Sequence, residues 1–331
     1  MKKTLAFLFV VALTAAVSAC AVEKEEDTNE YFEQELESWV KVNYPDRISQ
    51  QTSDGSYILD FTQGDGQQVA DTSYVAVHFF KTDLAGNISS TNIQDLAERL
   101  GTYTNAKYYG SDIWKVGQGS VYPPIEEVLR KMKVGGHVTL AIPVGSSTVE
   151  NKVYNPFESS ESANILFDIT LDDVRGDVYK AQKEALKEYS KRYSKIDTCS
   201  DNFYLKKLVH STSEKDTIQN GQEIKVYYIA RLLDGHVFDT NIADTAKKYR
   251  IYNSGNDYDA LDVTYYDNLS DISTKNSLVD GFLTAIIKMR KNEEADAFFW
   301  SSLGYDAAGS EEVVPEYSPL SFYIKIKGGE Q

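Results

Sequence analysis

The sequence predicts an α+β protein of two tandem domains, each a curved antiparallel sheet packed against one short helix, and three observations lead there. First, Thr91-Asn92-Ile93-Gln94-Asp95-Leu96-Ala97 returns as Thr240-Asn241-Ile242-Ala243-Asp244-Thr245-Ala246, and the same displacement carries Val77 to Val226, Phe79 to Tyr228, Gly86 to Gly235 and Tyr103 to Tyr252. Second, each copy holds one apolar stripe at i, i+3, i+4, i+7: Ile125, Val128, Leu129, Met132, then Phe282, Ala285, Ile286, Met289. Third, each copy closes on an alternating strand, with Ile165, Phe167, Ile169, Leu171 matched by Leu320, Phe322, Ile324, Ile326. Two long copies are a duplicated domain; a solenoid needs several short repeats. One helix on one face of a curved sheet buries both apolar faces.

In chain order, Met1-Lys2-Lys3, an apolar run from Leu5 to Val17 and the close Val17-Ser18-Ala19-Cys20 read as a signal peptide over 1–19. The run is too short to span a bilayer. A cysteine directly after small residues resembles a bacterial lipobox, in which Cys20 is lipidated and the membrane is contacted through that lipid. Residues 20–29 form a polar tether rich in acid, Glu23 to Asp27. It reads either as a solvated spacer or, by resemblance to surface lipoproteins of the Bacteroidetes, as an export signal. Glu30 to Val42 places Phe32, Leu36, Trp39 and Val40 on one stripe, a helix leading the first domain (30–176).

Pro123-Pro124 pre-sets the start of that domain's core helix, and Gly135-Gly136 is expected to end it, with Asn292 as the left-handed counterpart in copy two. Strands follow at Val138-Leu140-Ile142 and Ala295-Ala297-Phe299. Residues 177–197 are a helical linker whose stripe of Val178, Ala181, Ala185, Leu186, Tyr189 and Tyr193 favours docking over spacing. The second domain spans 198–328. Pairing Tyr108-Tyr109 with Tyr265-Tyr266 and Met132 with Met289 implies extra residues between Tyr252 and Tyr265, and 253–276 reads as a polar, tyrosine-rich insertion.

A net charge of -16 and a pI near 4.8 repel phosphate backbones, so no nucleic-acid partner is expected. With Cys20 acylated, only Cys199 remains, which excludes an intramolecular disulfide and suggests a small, partly buried residue. His78, His137, His210 and His236 have no Cys or His partner at ligand spacing, so no metal is expected, and His78 and His236 are placed facing solvent. Gly117-Gln118-Gly119 lacks the rest of a dinucleotide fingerprint, and there is no G-x-S-x-G elbow. No cofactor is implied.

Val226 to Asn241 reads V-Y-Y-I-A-R-L-L-D-G-H-V-F-D-T-N, two strands about an Asp234-Gly235 turn. This resembles the first hairpin of FKBP-type peptidyl-prolyl isomerases, V-x-Y-x-G-x-L-x-D-G-x-x-F-D, matched at Tyr228, Leu232, Asp234, Gly235, Phe238 and Asp239, with Ala230 in place of glycine. The resemblance implies a half-barrel in each copy and a prolyl-isomerase site in the second. Carried over residue by residue, the site comprises Tyr228, Phe238 and Asp239 from the hairpin, Phe282 as the floor, Tyr305 from the following loop and Phe322 from the last strand. Tyr249, Leu278 and Val279 would bind substrate, with Val313 and Val314 on an overhanging loop. Prolyl isomerisation crosses a barrier of about 18–20 kcal/mol without proton transfer. A catalyst therefore needs an aromatic bowl that dehydrates the imide and favours its twisted form.

The chain departs from I-P-x-x-x-A-Y-G by reading Trp300-Ser301-Ser302-Leu303-Gly304-Tyr305-Asp306. Copy one departs further: Ser89-Ser90 replaces Phe238-Asp239, Ile125 replaces Phe282 and Thr148 replaces Tyr305, implying a silent domain that binds or dimerises. The expected protein is an outer-membrane envelope lipoprotein, surface-exposed or periplasmic, that isomerises proline-containing exported polypeptides. The rival is a non-catalytic surface protein that uses the same fold to bind a protein or glycan.

Overall fold

The computed structural model describes residues 28–117, 119–147, 162–310 and 313–327. The signal segment, the lipidation candidate Cys20 and Thr148 lie outside these. The first domain runs α1 (Thr28–Asn43), β1 (Tyr57–Thr62), β2 (Tyr74–Asp83), β3 (Ile88–Thr91), α2 (Gln94–Leu100), β4 (Asp112–Lys115), α3 (Pro123–Leu129), β5 (His137–Ile142) and β6 (Ile165–Arg175). After the linker helix α4 (Val178–Ser190) come β7 (Thr198–Cys199), β8 (Phe203–Val209), β9 (Glu223–Leu232), β10 (Val237–Thr240) and α5 (Ala243–Lys248). The chain closes with β11 (Leu261–Thr264), α6 (Leu269–Lys275), α7 (Asp280–Ile287), β12 (Glu294–Phe299) and β13 (Leu320–Lys327).

Each domain is one antiparallel sheet. The first is ordered β1-β5-β6-β2-β3 with β4 also on β2; the second is ordered β10-β9-β13-β12-β8-β7 with β11 also on β9. In both, two short strands share one edge of the long hairpin strand. β3 and β4 pair with opposite ends of β2, as β10 and β11 do with β9.

The T-N-I repeat is what ties this edge down. Asn92 accepts from the Phe79 N–H and donates to the Val77 carbonyl, while the Thr91 hydroxyl donates to the Phe79 carbonyl. Asn241 and Thr240 make the same three bonds to Tyr228 and Val226. Buried polar side chains demand such partners, so the repeated motif serves the scaffold.

Inside each sheet lies one helix. α3 starts on Pro123-Pro124 and buries Ile125, Val128 and Leu129 against Leu140, Phe167 and Ile169. α7 buries Phe282, Leu283, Ala285 and Ile286 against Ala297, Phe299, Phe322 and Ile324. Gly135 (φ 81°) and Asn292 (φ 61°) are left-handed, but they shape the turn into β5 and β12 and are not helix caps. There the Gly135 N–H donates to Leu171 O and the Asn292 N–H to Ile326 O, which fixes where each strand begins. A second helix covers each outer face. Leu36 and Val40 of α1 sit on Tyr57, Leu59 and Ala141, and Leu186 and Tyr189 of α4 sit on Phe298. The linker therefore docks onto the second sheet, with the Tyr193 hydroxyl donating to Asp296 at 2.8 Å and the Tyr189 hydroxyl 3.1 Å from Ser321 Oγ.

Four further expectations change. β4 and β11 occupy the same place in their sheets, so Tyr108-Tyr109, ahead of β4, do not correspond to Tyr265-Tyr266, which follow β11. Residues 253–276 accordingly contain a shared strand, and the added piece is α6, whose Ile272 is buried in the core. His236 is half-buried under Tyr108 of the first domain, with ring centroids 5.6 Å apart, whereas the side chain of His78 stays partly exposed while bonded to Asp172 at 2.6 Å. A turn or strand position predicts exposure only until another domain covers it. Finally, Cys199 is exposed, because β7 is a two-residue edge strand with nothing over it.

Candidate functional site

The second domain carries an open cavity of about 460 Å³ between α7, the β9–β10 hairpin and the loop after β12. This falls in the range of small-ligand sites, roughly 300–1,000 Å³. All six residues assigned to catalysis line it: Tyr228, Phe238, Asp239, Phe282, Tyr305 and Phe322. Leu278 and Val279 line it too.

Phe238 and Asp239 are neighbours in sequence, and in a regular strand their side chains would point to opposite faces. Here the pairing slips: Val237 lies opposite Arg231 and Asp239 opposite Ala230, which leaves Phe238 in a bulge. A bulge bends the strand and re-aims a side chain, and both residues thereby face one cavity.

The floor is aromatic and apolar. Phe282 and Phe322 are buried, with centroids 5.3 Å apart, and Phe322 also meets Phe238 edge-on at 6.3 Å and stacks on Phe299 at 5.7 Å. Tyr228 meets Phe282 edge-on at 5.7 Å. Edge-on and offset rings satisfy the aromatic quadrupole while keeping a concave apolar surface. Gly281 lets α7 come this close. A Cβ there would lie 2.4 Å from the Phe299 ring, so a side chain at this position would lift Phe282 from its place.

Polarity is confined to the rim. The Tyr228 hydroxyl donates to Asp239 Oδ2 at 2.7 Å. Burial, then the Asp239 carboxylate, raises the Tyr228 pKa, and the same two causes raise that of Tyr305. Both phenols are therefore protonated donors at neutral pH. The carboxylate of Asp280, the first residue of α7, adds a second acid, and no lysine or arginine lines the cavity. No cluster of His, Cys, Asp or Glu among the described residues is arranged to hold a metal. The arrangement suits binding and dehydration of an apolar ring, with the Tyr305 hydroxyl as donor for a carbonyl beside it.

Three carried-over residues fall elsewhere. Tyr249 caps the short α5 with its ring turned outward beneath Lys248 Nζ at 5.2 Å. Val314 is buried in the domain core, and Val313 packs against that core through the Ser310–Val314 bridge that folds their loop inward. Conversely Ala230, Leu261, Ser277, Asp280 and Gly304 line the cavity without having been singled out for it. Ala230 stood in the hairpin pattern and Gly304 stood beside Tyr305, but Leu261 was hidden in a segment read as an insertion.

In the first domain, the counterparts of Tyr228 and Phe322 are Phe79 and Phe167, 5.3 Å apart. Trp114 of β4 lies against both, at 5.6 and 6.2 Å, fully buried. Its counterpart on β11 is the much smaller Val263. A buried indole thus lies against the two rings whose counterparts, Tyr228 and Phe322, line the cavity of the second domain.

Among families, the model for "FKBP-type peptidyl-prolyl cis-trans isomerase" matches residues 214–327. A comparison with curated proteins gave no match. Among solved structures, the three FKBP domains of wheat FKBP73 are 14% identical, with 83% of this chain and 95% of that one covered and a TM-score of 0.30. A peptidyl-prolyl cis-trans isomerase from Pseudomonas syringae is 18% identical over 46% of this chain and 94% of its own (TM-score 0.33). FkpA from Escherichia coli is 20% identical over 53% and 74% (TM-score 0.30). The match to the FKBP-type family model covers the hairpin, the core helix and every residue that lines the cavity.

Proposed function

We propose that the second domain is a peptidyl-prolyl cis-trans isomerase that receives proline-containing segments of exported polypeptides in the Tyr228–Phe322 cavity. The observation that carries this reading is the convergence of six separately placed side chains on one open, aromatic-floored hollow. A prolyl ring on Phe282 and Phe322 leaves water behind, and loss of hydration favours the less polar twisted imide. The Tyr305 hydroxyl donates to a neighbouring carbonyl, while Asp239, held by Tyr228, fixes the rim. Phe238 closes the side. No step moves a proton: the Tyr228 hydroxyl stays bonded to Asp239 and serves to hold the rim.

The first domain has no such activity, because the rings that correspond to Tyr228 and Phe322 are packed against the buried indole of Trp114. The chain acts at the cell envelope, anchored in the outer membrane by a lipid on Cys20, facing either the periplasm or the exterior. Radiolabelled palmitate should enter the parent protein in a lipoprotein-processing host and not a Cys20→Ala variant; equal labelling rules out the anchor. For the site, exchange NMR on a short Xaa-Pro peptide should show cis/trans cross-peaks growing with added full-length protein, and peptide-induced shifts at Phe282 and Tyr305. Shifts confined to the first domain, or exchange unaltered by protein, would overturn the assignment.

A further inference from the structure

We infer that Tyr179 and Gln182 of the linker helix are positioning residues for the isomerase site, holding the loop that carries Tyr305 from outside the FKBP-type domain. The inference rests on the reading of the cavity given above. The loop from Trp300 to Tyr317 departs from the family pattern where Tyr305 must be placed: A-Y-G is replaced by Gly304-Tyr305-Asp306. Asp306 nevertheless adopts a positive φ of 45°, a conformation that glycine takes freely and that an L-residue, aspartate included, adopts only at a cost. Such a residue persists only when its surroundings over-determine it.

The surroundings do so through α4. The Tyr179 hydroxyl donates to Asp306 Oδ1 at 2.8 Å and lies 3.0 Å from Oδ2, and the Ser301 hydroxyl donates to Oδ1 at 3.0 Å. Gln182, buried, takes the Ser301 N–H at 2.8 Å and returns its amide to Ser301 Oγ at 2.9 Å and Tyr317 O at 2.8 Å. Both ends of the loop are thereby tied to one helix turn. Within the loop, the Tyr317 N–H donates back to Asp306 O, fixing the backbone beside Tyr305. On its far side Tyr317 meets Tyr74 of the first domain edge-on at 4.9 Å. A charged acceptor bonded twice in a half-buried setting is the stronger kind of hydrogen bond, well suited to hold a strained residue.

The experiment uses the full-length protein with Tyr179→Phe, which removes one hydroxyl and keeps the ring against Trp300 and Tyr317. Amide hydrogen exchange over 304–317 should rise about tenfold while exchange in β9 and β13 holds. Catalytic efficiency kcat/KM toward an Xaa-Pro peptide should fall about tenfold, a change worth roughly 1.4 kcal/mol. In an Asp306→Gly background, where the backbone no longer needs restraint, Tyr179→Phe should add no further change in either readout. Unaltered exchange at 304–317 overturns this inference whatever the activity. Raised exchange with kcat/KM unmoved, or an equal Tyr179→Phe effect with and without Asp306→Gly, overturns it as well. A parent protein inactive on the peptide removes the proposed function, and the exchange readout still decides whether α4 holds the loop.

Discussion

Replacing Tyr228 by phenylalanine tests the rim at the level of a single atom. The substitution removes the hydroxyl that donates to Asp239 at 2.7 Å and leaves the ring contacts to Phe282 and Phe322 in place. A hydrogen bond to an ionised acceptor contributes about 1.5–3 kcal/mol. Asp239 is exposed, so water replaces the lost donor and screening reduces the gain; about 1 kcal/mol is expected. The sign of its pH dependence follows from the phenol. Burial, then Asp239, raises the Tyr228 pKa above the ordinary 10.0, so the fold holds that proton more tightly than the unfolded chain does. The stabilisation is fully present below pH 10 and is lost as pH climbs through the raised value. Urea denaturation of parent and Tyr228→Phe between about pH 8 and about pH 11.5 isolates this group from the other tyrosines by difference. The parent should lead by about 1 kcal/mol at pH 8, and its lead should shrink or reverse toward the alkaline end. A gap that stays constant across the range would refute the bonded, buried phenol.

Two further substitutions probe the neighbouring domain and its contact. Trp114→Ala removes a fully buried indole packed against both Phe79 and Phe167 and should cost the first domain about 3–5 kcal/mol by urea denaturation; a loss below about 1 kcal/mol would show that the indole is not packed there. Glu316 lies buried between the domains, where burial and the Asp112 carboxylate raise its pKa well above the usual carboxylate value while the Ile113 N–H bonds to it. A raised folded value means stability that is present at low pH and lost as pH rises through it. Glu316→Gln, a permanent stand-in for the protonated acid, should therefore gain thermal stability over the parent progressively from about pH 5 to about pH 8, and a Tm difference that does not vary with pH would contradict this.

Much of this architecture was legible in the sequence because it rests on local periodicity. The stripe at Phe282, Ala285, Ile286 and Met289, the alternation from Leu320 to Ile326 and the Asp234-Gly235 turn each state their element, and duplication states each twice. What escaped was set by pairing and by tertiary contact. The bulge that turns Phe238 and Asp239 to one side depends on register with Arg231 and Ala230, which no single strand reveals. Alignment of tyrosine pairs misplaced the extra residues, since Tyr108 faces His236 of the other domain and Tyr265 serves its own core. Tyr249, Val313 and Val314 carried the family's pattern, but a short helix end and an inward-folded loop took them from the cavity. The support of the Tyr305 loop by Tyr179 and Gln182 joins residues more than a hundred positions apart, and a helical stripe alone shows only that the linker has a face to bury.

The most direct test of the central claim is the first-order rate constant for cis-to-trans conversion of a short Xaa-Pro peptide, followed with increasing full-length protein. The rate should rise in proportion to the parent protein. With a Phe238→Ala, Asp239→Ala double variant it should remain at the uncatalysed value, while circular dichroism shows the fold intact. Equal acceleration by parent and variant would move the chemistry out of this cavity, and no acceleration by either would leave the aromatic hollow without the activity assigned to it.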